Sequence, residues 1–248
     1  MENALAIVTA LLVYLASMAV KRKINSAQDF NSFTTKPNHI GMIDRKSHWE
    51  NIYKNKISME MSWYQREPTL SLQLISKTKL PHDAPIIDVG GGASLLVDRL
   101  YGEGYTNIAV LDISTEALAS ARGRLDDNAS RVEWYQKDVT QFTPPHQFSL
   151  WHDRAVFHFL TDKSDRERYI SVLNRALEPN GHIIIATFAI GGPTRCSNLD
   201  IIQYDAEKLM AELGEGYELV ENRTEIHITP TNKEQKFAYF RLSRREEH

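Results

Sequence analysis

From residue 84 onward the chain alternates short apolar runs with stretches of helical period, and no other feature narrows its fold as much. The runs 84–89, 107–113, 132–138, 148–153 and 182–188 have strand length, and the stretches 93–103, 115–126 and 162–178 between them suit helices. Strands joined through helices run parallel, because each crossover returns the chain to the same end of the sheet. The last third breaks this rhythm. After a helix over 205–213, two β-rich runs, 218–229 and 234–244, flank Pro230-Thr231-Asn232-Lys233 and predict a hairpin. The expected architecture is α/β, a doubly wound sheet that is mostly parallel and carries a C-terminal antiparallel hairpin.

The N-terminal part is different in kind. Residues 4–20 carry no charge and end at Lys21-Arg22-Lys23, and at about 1.5 Å per residue a helix there reaches the lower limit of a bilayer core. A signal peptide would carry its positive charges before the apolar run, and Met1-Glu2-Asn3 supplies none. The expected organisation is a hydrophobic membrane anchor over 1–23, a polar linker over 24–47 and a globular domain over 48–248. By the positive-inside rule the domain lies on the cytoplasmic side.

The chemistry starts at PIIDVGGGASLLVDRL, residues 85–100, where an acid and three glycines stand between a strand and a helix. Ligands bind outside the carboxyl ends of strands in such sheets. A dinucleotide fingerprint would place its third glycine at position 95, which is Leu95, and no Gly-Lys-Ser/Thr follows for a phosphate loop. The turn instead reads acid-x-Gly-x-Gly, with Asp88, Gly90 and Gly92. The next strand ends in Asp112-Ile113, where an acid accepts from both hydroxyls of a ribose, and the third ends in Asp138-Val139, placed for an adenine. The net charge of −3 argues against nucleic acid as a partner. One cysteine and nine scattered histidines, none of them paired at ligand spacing, give no metal site.

Together these residues resemble the class I S-adenosylmethionine-dependent methyltransferases, over about residues 49–244. The resemblance implies a Rossmann-like, seven-stranded sheet with S-adenosyl-L-methionine as cofactor. It also implies that Asp112 and Ile113 serve the ribose, Asp138 and Val139 the adenine, and Asp88 the methionine amine, with Gly90 and Gly92 in the turn. The family's last glycine falls on Ser94, a departure that bears on helix-sheet packing. In similar enzymes an aromatic lead-in folds over the cofactor, which makes Trp49, Tyr53 and above all Trp63 candidates for that cover.

The fourth strand leaves through WHDRAVFHFL, where such enzymes bring methyl group and acceptor together. Asp153, His158 and His152 are the available groups, with Asp153 ranked first, either as the base that removes a proton or as the holder of the methionine amine. Arg195 and Cys196 lie in a long insertion after the fifth strand and are placed to touch an acceptor. A small-molecule nucleophile, such as a thiol, is the first reading of the acceptor and a protein lysine the second. A membrane-tethered scaffold that binds the cofactor without catalysis is the reading from another class.

Overall fold

The computed structural model describes residues 44–245. The expected anchor over 1–23 and the first twenty residues of the linker lie outside them. Among the described residues no helix is long and apolar enough to cross a membrane.

A seven-stranded sheet forms the middle layer. Its strands are β1 (Ile86–Val89), β2 (Ile108–Asp112), β3 (Val132–Gln136), β4 (Phe148–Arg154), β5 (Leu177–Phe188), β8 (Tyr217–Ile228) and β9 (Glu234–Arg244). Their spatial order is β3-β2-β1-β4-β5-β9-β8. β3, β2, β1, β4 and β5 pair in parallel, and β9 and β8 close the sheet antiparallel. The chain moves outward from β1 on one side and restarts at β4 on the other, so the topological switch point lies between β1 and β4, where a ligand crevice is expected.

The helices are α1 (Arg45–Asn55), α2 (Thr69–Ser76), α3 (Leu96–Gly102), α4 (Thr115–Leu125), α5 (Lys163–Ala176) and α6 (Ala206–Leu213). Two apolar clusters lie on opposite faces of the sheet. One gathers Ile87, Trp151, Tyr169, Ile185 and Phe240, and the other Leu74, Ile86, Leu100, Leu150 and Tyr239. The central strands are buried on both faces, which is why they read as continuous apolar runs.

Several boundaries differ from expectation for local reasons. A helix starts at Arg45, three residues before His48, where the Asp44 carboxylate accepts from the Lys46 amide at 3.1 Å. α3 begins at Leu96 and not at 93, since Gly90 and Gly92 hold positive φ and keep the turn open. At its start the Ser94 hydroxyl accepts from the Leu96 amide at 3.1 Å, so the serine that replaces the family's glycine takes up a free N–H of the first turn. β5 starts five residues early, at Leu177, where a register irregularity opposite Phe148 and Leu150 absorbs Asn180 at φ 61°. The insertion after β5 contains a short hairpin, β6 (Arg195–Cys196) with β7 (Leu199–Asp200). Its two-residue turn, Ser197-Asn198, has both φ values positive, a conformation that twists with the flanking strands.

Candidate functional site

The carboxyl ends of the parallel strands open into a cleft of about 870 Å³ including its mouth. Asp112, Ile113, Asp138 and Val139 line one side of it, and Gly90 forms part of the floor. A second cavity, of about 570 Å³ including its open side, adjoins it and is lined by Asp88, Gly90, Gly91, Ser71, His152 and Arg154 among others. The predicted cofactor residues Trp63, Asp88, Gly90, Asp112, Ile113, Asp138 and Val139 thus line two adjoining spaces, and Gly92 lines neither.

The turn after β1 admits only glycine where it matters. At Gly90, φ is +67° and a Cβ would stand 2.1 Å from the Val156 Cγ2. At Gly92, φ is +31° and a Cβ would stand 2.3 Å from Asp112 Oδ2. A side chain at either place would fill the cradle or displace the carboxylate beside it.

Each strand-end acid is held by donors from its own turn. Asp112 Oδ1 accepts from the Ser114 amide at 2.8 Å. Asp138 Oδ1 accepts from the Thr140 amide and hydroxyl, both at 2.8 Å, and its Oδ2 lies 3.5 Å from Arg45 Nη1. Burial is the main force on Asp112 and, with the Asp88 and Glu50 charges, outweighs its backbone donors, so its pKa is pushed up to about 7.

Helix α1 covers this end of the sheet. Its Glu50 carboxylate accepts from the Thr115 amide at 2.8 Å, the Glu116 amide at 3.2 Å and the Ser114 hydroxyl at 3.0 Å. Glu50 therefore caps α4 from another helix, at the end where the dipole favours an anion. Burial opposes its charge, yet these donors hold its carboxyl below the usual range. Arg45, at the start of α1, pairs with Asp138 and with Asp165 of α5. Between these anchors Trp49 and Tyr53 face the cleft. The Trp49 ring meets Trp63 at 5.8 Å and Phe159 at 5.1 Å, and Tyr53 meets Trp63 at 6.3 Å, all edge-on. With Phe188 and Phe237 they line the same cleft as Asp112 and Asp138, and burial and the Asp112 charge together raise the Tyr53 pKa. Cys196 also lines the cleft, with burial raising its thiol pKa. Arg195 is exposed and paired with Asp200 across its own hairpin at 3.0 Å, so the insertion supplies the cysteine and not the arginine.

The candidate bases are placed differently from expectation. Asp153 is fully buried and does not line the cleft. Its carboxylate accepts from the Val156 amide at 2.9 Å, the Phe157 amide at 3.1 Å and the Tyr169 hydroxyl at 2.7 Å. The Tyr169 oxygen in turn accepts from the Trp151 indole at 2.8 Å. Burial pushes the Asp153 pKa up to about 6, against those donors. This acid fastens the exit of β4 to α5, because the turn at 155–157 needs acceptors for its amides. His158 is also fully buried, with Nδ1 accepting from the Phe188 amide at 3.2 Å, and burial lowers its pKa to about 3. It is a neutral ring behind the aromatic wall. His152 Nδ1 donates to Asp88 Oδ1 at 2.7 Å and Nε2 pairs with the Ser71 hydroxyl at 2.9 Å, so it braces Asp88. Asp153 and His158 do not line the cleft, and His152 lines only the second cavity.

Sequence reasoning missed Glu50, Arg45, Arg154, Phe188 and Phe237 as parts of the site. Arg154 follows Asp153 directly at the strand end, where alternation along β4 points it to the other face. Phe237 comes from the antiparallel strand β9, and nothing local marks it.

The donor set suits an S-adenosyl nucleoside: an acid for the ribose, an acid with an adjacent backbone for the adenine, and a side-chain-free cradle between them. The family described as "Methyltransferase domain" matches residues 86–181. EEF1A lysine methyltransferase 2 of Homo sapiens is 24% identical over 196 residues, covering 72% of this chain and 76% of that protein. The N-methyltransferase NodS of Bradyrhizobium japonicum, solved with S-adenosyl-L-homocysteine, superposes with a TM-score of 0.59 at 17% identity, covering 79% of this chain and 98% of NodS. An echinomycin-biosynthesis structure, described by its conversion of a disulfide bond into a thioacetal group, superposes with a TM-score of 0.67 at 15% identity, covering 82% and 93% of the two chains. The structural likeness concerns the fold.

Two outcomes follow from this geometry. Asp153→Asn lowers folding stability by about 1–3 kcal/mol, the range for mismatching a buried acceptor, while the folded fraction keeps its S-adenosyl-L-homocysteine affinity. Urea denaturation and calorimetry check it. Unchanged stability with turnover reduced about 10²-fold or more would restore Asp153 as a base. For Asp112, the raised pKa sets the sign of a pH effect. Ribose hydroxyls donate to the ionised carboxylate, so nucleoside affinity falls as pH drops from 8 to 6, through about 7. Asp112→Asn flattens that profile in calorimetric titration, and an equal pH dependence in the variant refutes the assignment.

Proposed function

We infer that this chain, a class I S-adenosylmethionine-dependent methyltransferase, delivers the methyl group to a small-molecule nucleophile that is already unprotonated when it enters the aromatic end of the cleft. The observation that carries this reading is the wall itself. Trp49, Tyr53, Trp63, Phe159, Phe188 and Phe237 line the space, and Asp153 and His158, both fully buried, do not. The cofactor, when bound, supplies an electrophilic methyl group on a sulfonium.

The residues of the chain then have three tasks. Asp112, Asp138 and the Gly90–Gly92 turn hold the nucleoside. The aromatic rings exclude water and take up an apolar acceptor body by edge and face contacts. The same walls fix the line of approach, and orientation of this kind supplies up to about 7–11 kcal/mol of a barrier without any proton transfer. A thiol ionised near neutral pH, or an amine in its neutral form, meets the requirement. An alcohol does not, because it needs a base in contact with it.

A protein lysine is the second reading. It is favoured by the similarity to EEF1A lysine methyltransferase 2 over 72% of this chain. A neutral lysine amine on a slender stem would also fit between aromatic walls.

The test is transfer from radiolabelled S-adenosylmethionine to a panel of thiols, amines and alcohols, with lysate protein as a separate arm. Label appears in small thiol or amine products, and at saturating cofactor the rates rise with pH toward the acceptor's own pKa with no separate inflection from an enzyme base. Label confined to a protein band favours the lysine reading. Cofactor binding without label in any arm favours a scaffold.

A further inference from the structure

Three cationic residues line the main cleft, Arg45, Lys137 and Arg154. Arg45 is paired with Asp138 and Asp165, and Lys137 is exposed. Arg154 is different. Its side chain, at the end of β4, is only 11% exposed, and its guanidinium carbon lies 4.4 Å from the Phe237 ring centroid. Nε donates to the Tyr239 hydroxyl at 2.8 Å and Nη1 to the Trp63 carbonyl at 3.0 Å, while Nη2 is buried and makes no hydrogen bond. Glu225 stands 3.8 Å from Nη2, too far for a hydrogen bond, and already accepts from Gln65 at 3.1 Å and from the Tyr239 hydroxyl at 3.0 Å. That carboxylate lines neither cavity. Groups around the cleft register the cation. Burial raises the Cys196 thiol pKa and the Arg154 charge works against it, and at His158 burial and then Arg154 lower the imidazole pKa to about 3. The same charge reaches His227 and Tyr239. Arg154 thus favours a thiol as its anion and keeps a base from its cation.

A cation held among aromatic rings with a donor to spare is completed by an anion. We propose that Arg154 selects the acceptor by charge, holding a small thiol in the cleft as its thiolate and disfavouring an ammonium. This rests on the reading that the acceptor is a small, unprotonated nucleophile, and narrows that class to an ionised thiol. A thiol of ordinary pKa, about 8.5, is only a few per cent ionised near pH 7, and a cation that lowers this pKa by about one unit raises the ionised share close to tenfold. The same cation repels an ammonium, the form in which an alkyl amine enters near neutral pH, and gives a neutral amine no comparable attraction. The thiol loses its proton to solvent before transfer. The thiolate sulfur then bonds to the methyl carbon as the bond from that carbon to the sulfonium breaks, its electron pair staying on the sulfonium sulfur. One anion and one cation are consumed, both products are neutral thioethers, and Arg154 ends unchanged.

The test uses two acceptors of one shape on the full chain, phenylmethanethiol and phenylmethanamine. With S-adenosyl-L-homocysteine bound, ultraviolet absorbance shows bound phenylmethanethiol more ionised than the free thiol at the same pH, its pKa lowered by about one unit or more. Arg154→Gln abolishes that shift. At saturating S-adenosylmethionine it also lowers kcat/KM for the thiol by about tenfold or more, as for loss of a charged hydrogen bond, and leaves that for the amine within about twofold. Arg154→Lys keeps the charge and most of the shift. Thermal melting checks the fold of each variant, and if Arg154→Gln does not fold, the wild-type absorbance shift decides. A bound thiol no more ionised than the free one, equal losses on thiol and amine, or a wild-type preference for the amine would each overturn selection by charge while leaving the small-acceptor reading in place. A wild-type chain that methylates neither and binds no phenylmethanethiol would overturn both.

Discussion

Burying acids side by side at the ends of adjacent parallel strands is the constraint on which the rest of this structure depends. Asp88 on β1 and Asp112 on β2 are nearly inaccessible, and Asp153 on β4 wholly so. Like charges so placed repel, and low dielectric raises what each demands of its surroundings. The fold answers each one locally. Asp112 takes the Ser114 amide, Asp88 takes His152, and Asp153 takes two amides and a tyrosine. What is left over is specific. Asp153 is saturated, whereas Asp88 keeps one buried oxygen without a partner. The same residue type at neighbouring strand ends therefore does two different jobs, and the number of donors within reach decides which.

The cover over the site follows the same logic. α1 has few apolar residues and none of its side chains is buried, so it is not held by a hydrophobic face of its own. It is held by Glu50 on the first turn of α4 and by Arg45 on Asp138 and Asp165, with aromatic rings packed between. Arg45 meets Asp138 on the cleft, which couples the position of the cover to that strand end. Such polar fastenings are weaker than core packing and fit a segment that must let a ligand pass.

Much of this was legible in the sequence because it is local. The alternation of strands and helices, the acid-x-Gly-x-Gly turn and the strand-end acids are properties of short windows, and the hairpin around Asn232 follows from turn chemistry. Trp49, Tyr53 and Trp63 could be assigned to the cover because an aromatic lead-in is itself a local pattern. What escaped depends on contacts between distant windows. Asp153 reads like a base from its position, and only the meeting of β4 with Tyr169 of α5 shows that it is consumed. His158 reads like an active-site histidine until Phe188 of β5 closes over it. The helix start at Arg45 was not legible, because the cap at Asp44 belongs to a helix whose pattern is mostly polar.

The central claim is that one cofactor lies across the ends of β1, β2 and β3 beneath α1. Hydrogen exchange of the full chain with and without S-adenosyl-L-homocysteine tests it most directly. The account predicts slowed exchange in four places together: the turn at 90–94, the start of α4 at 113–116, the turn at 138–140, and α1. Protection confined to one of these, or centred on β8 and β9, would contradict it.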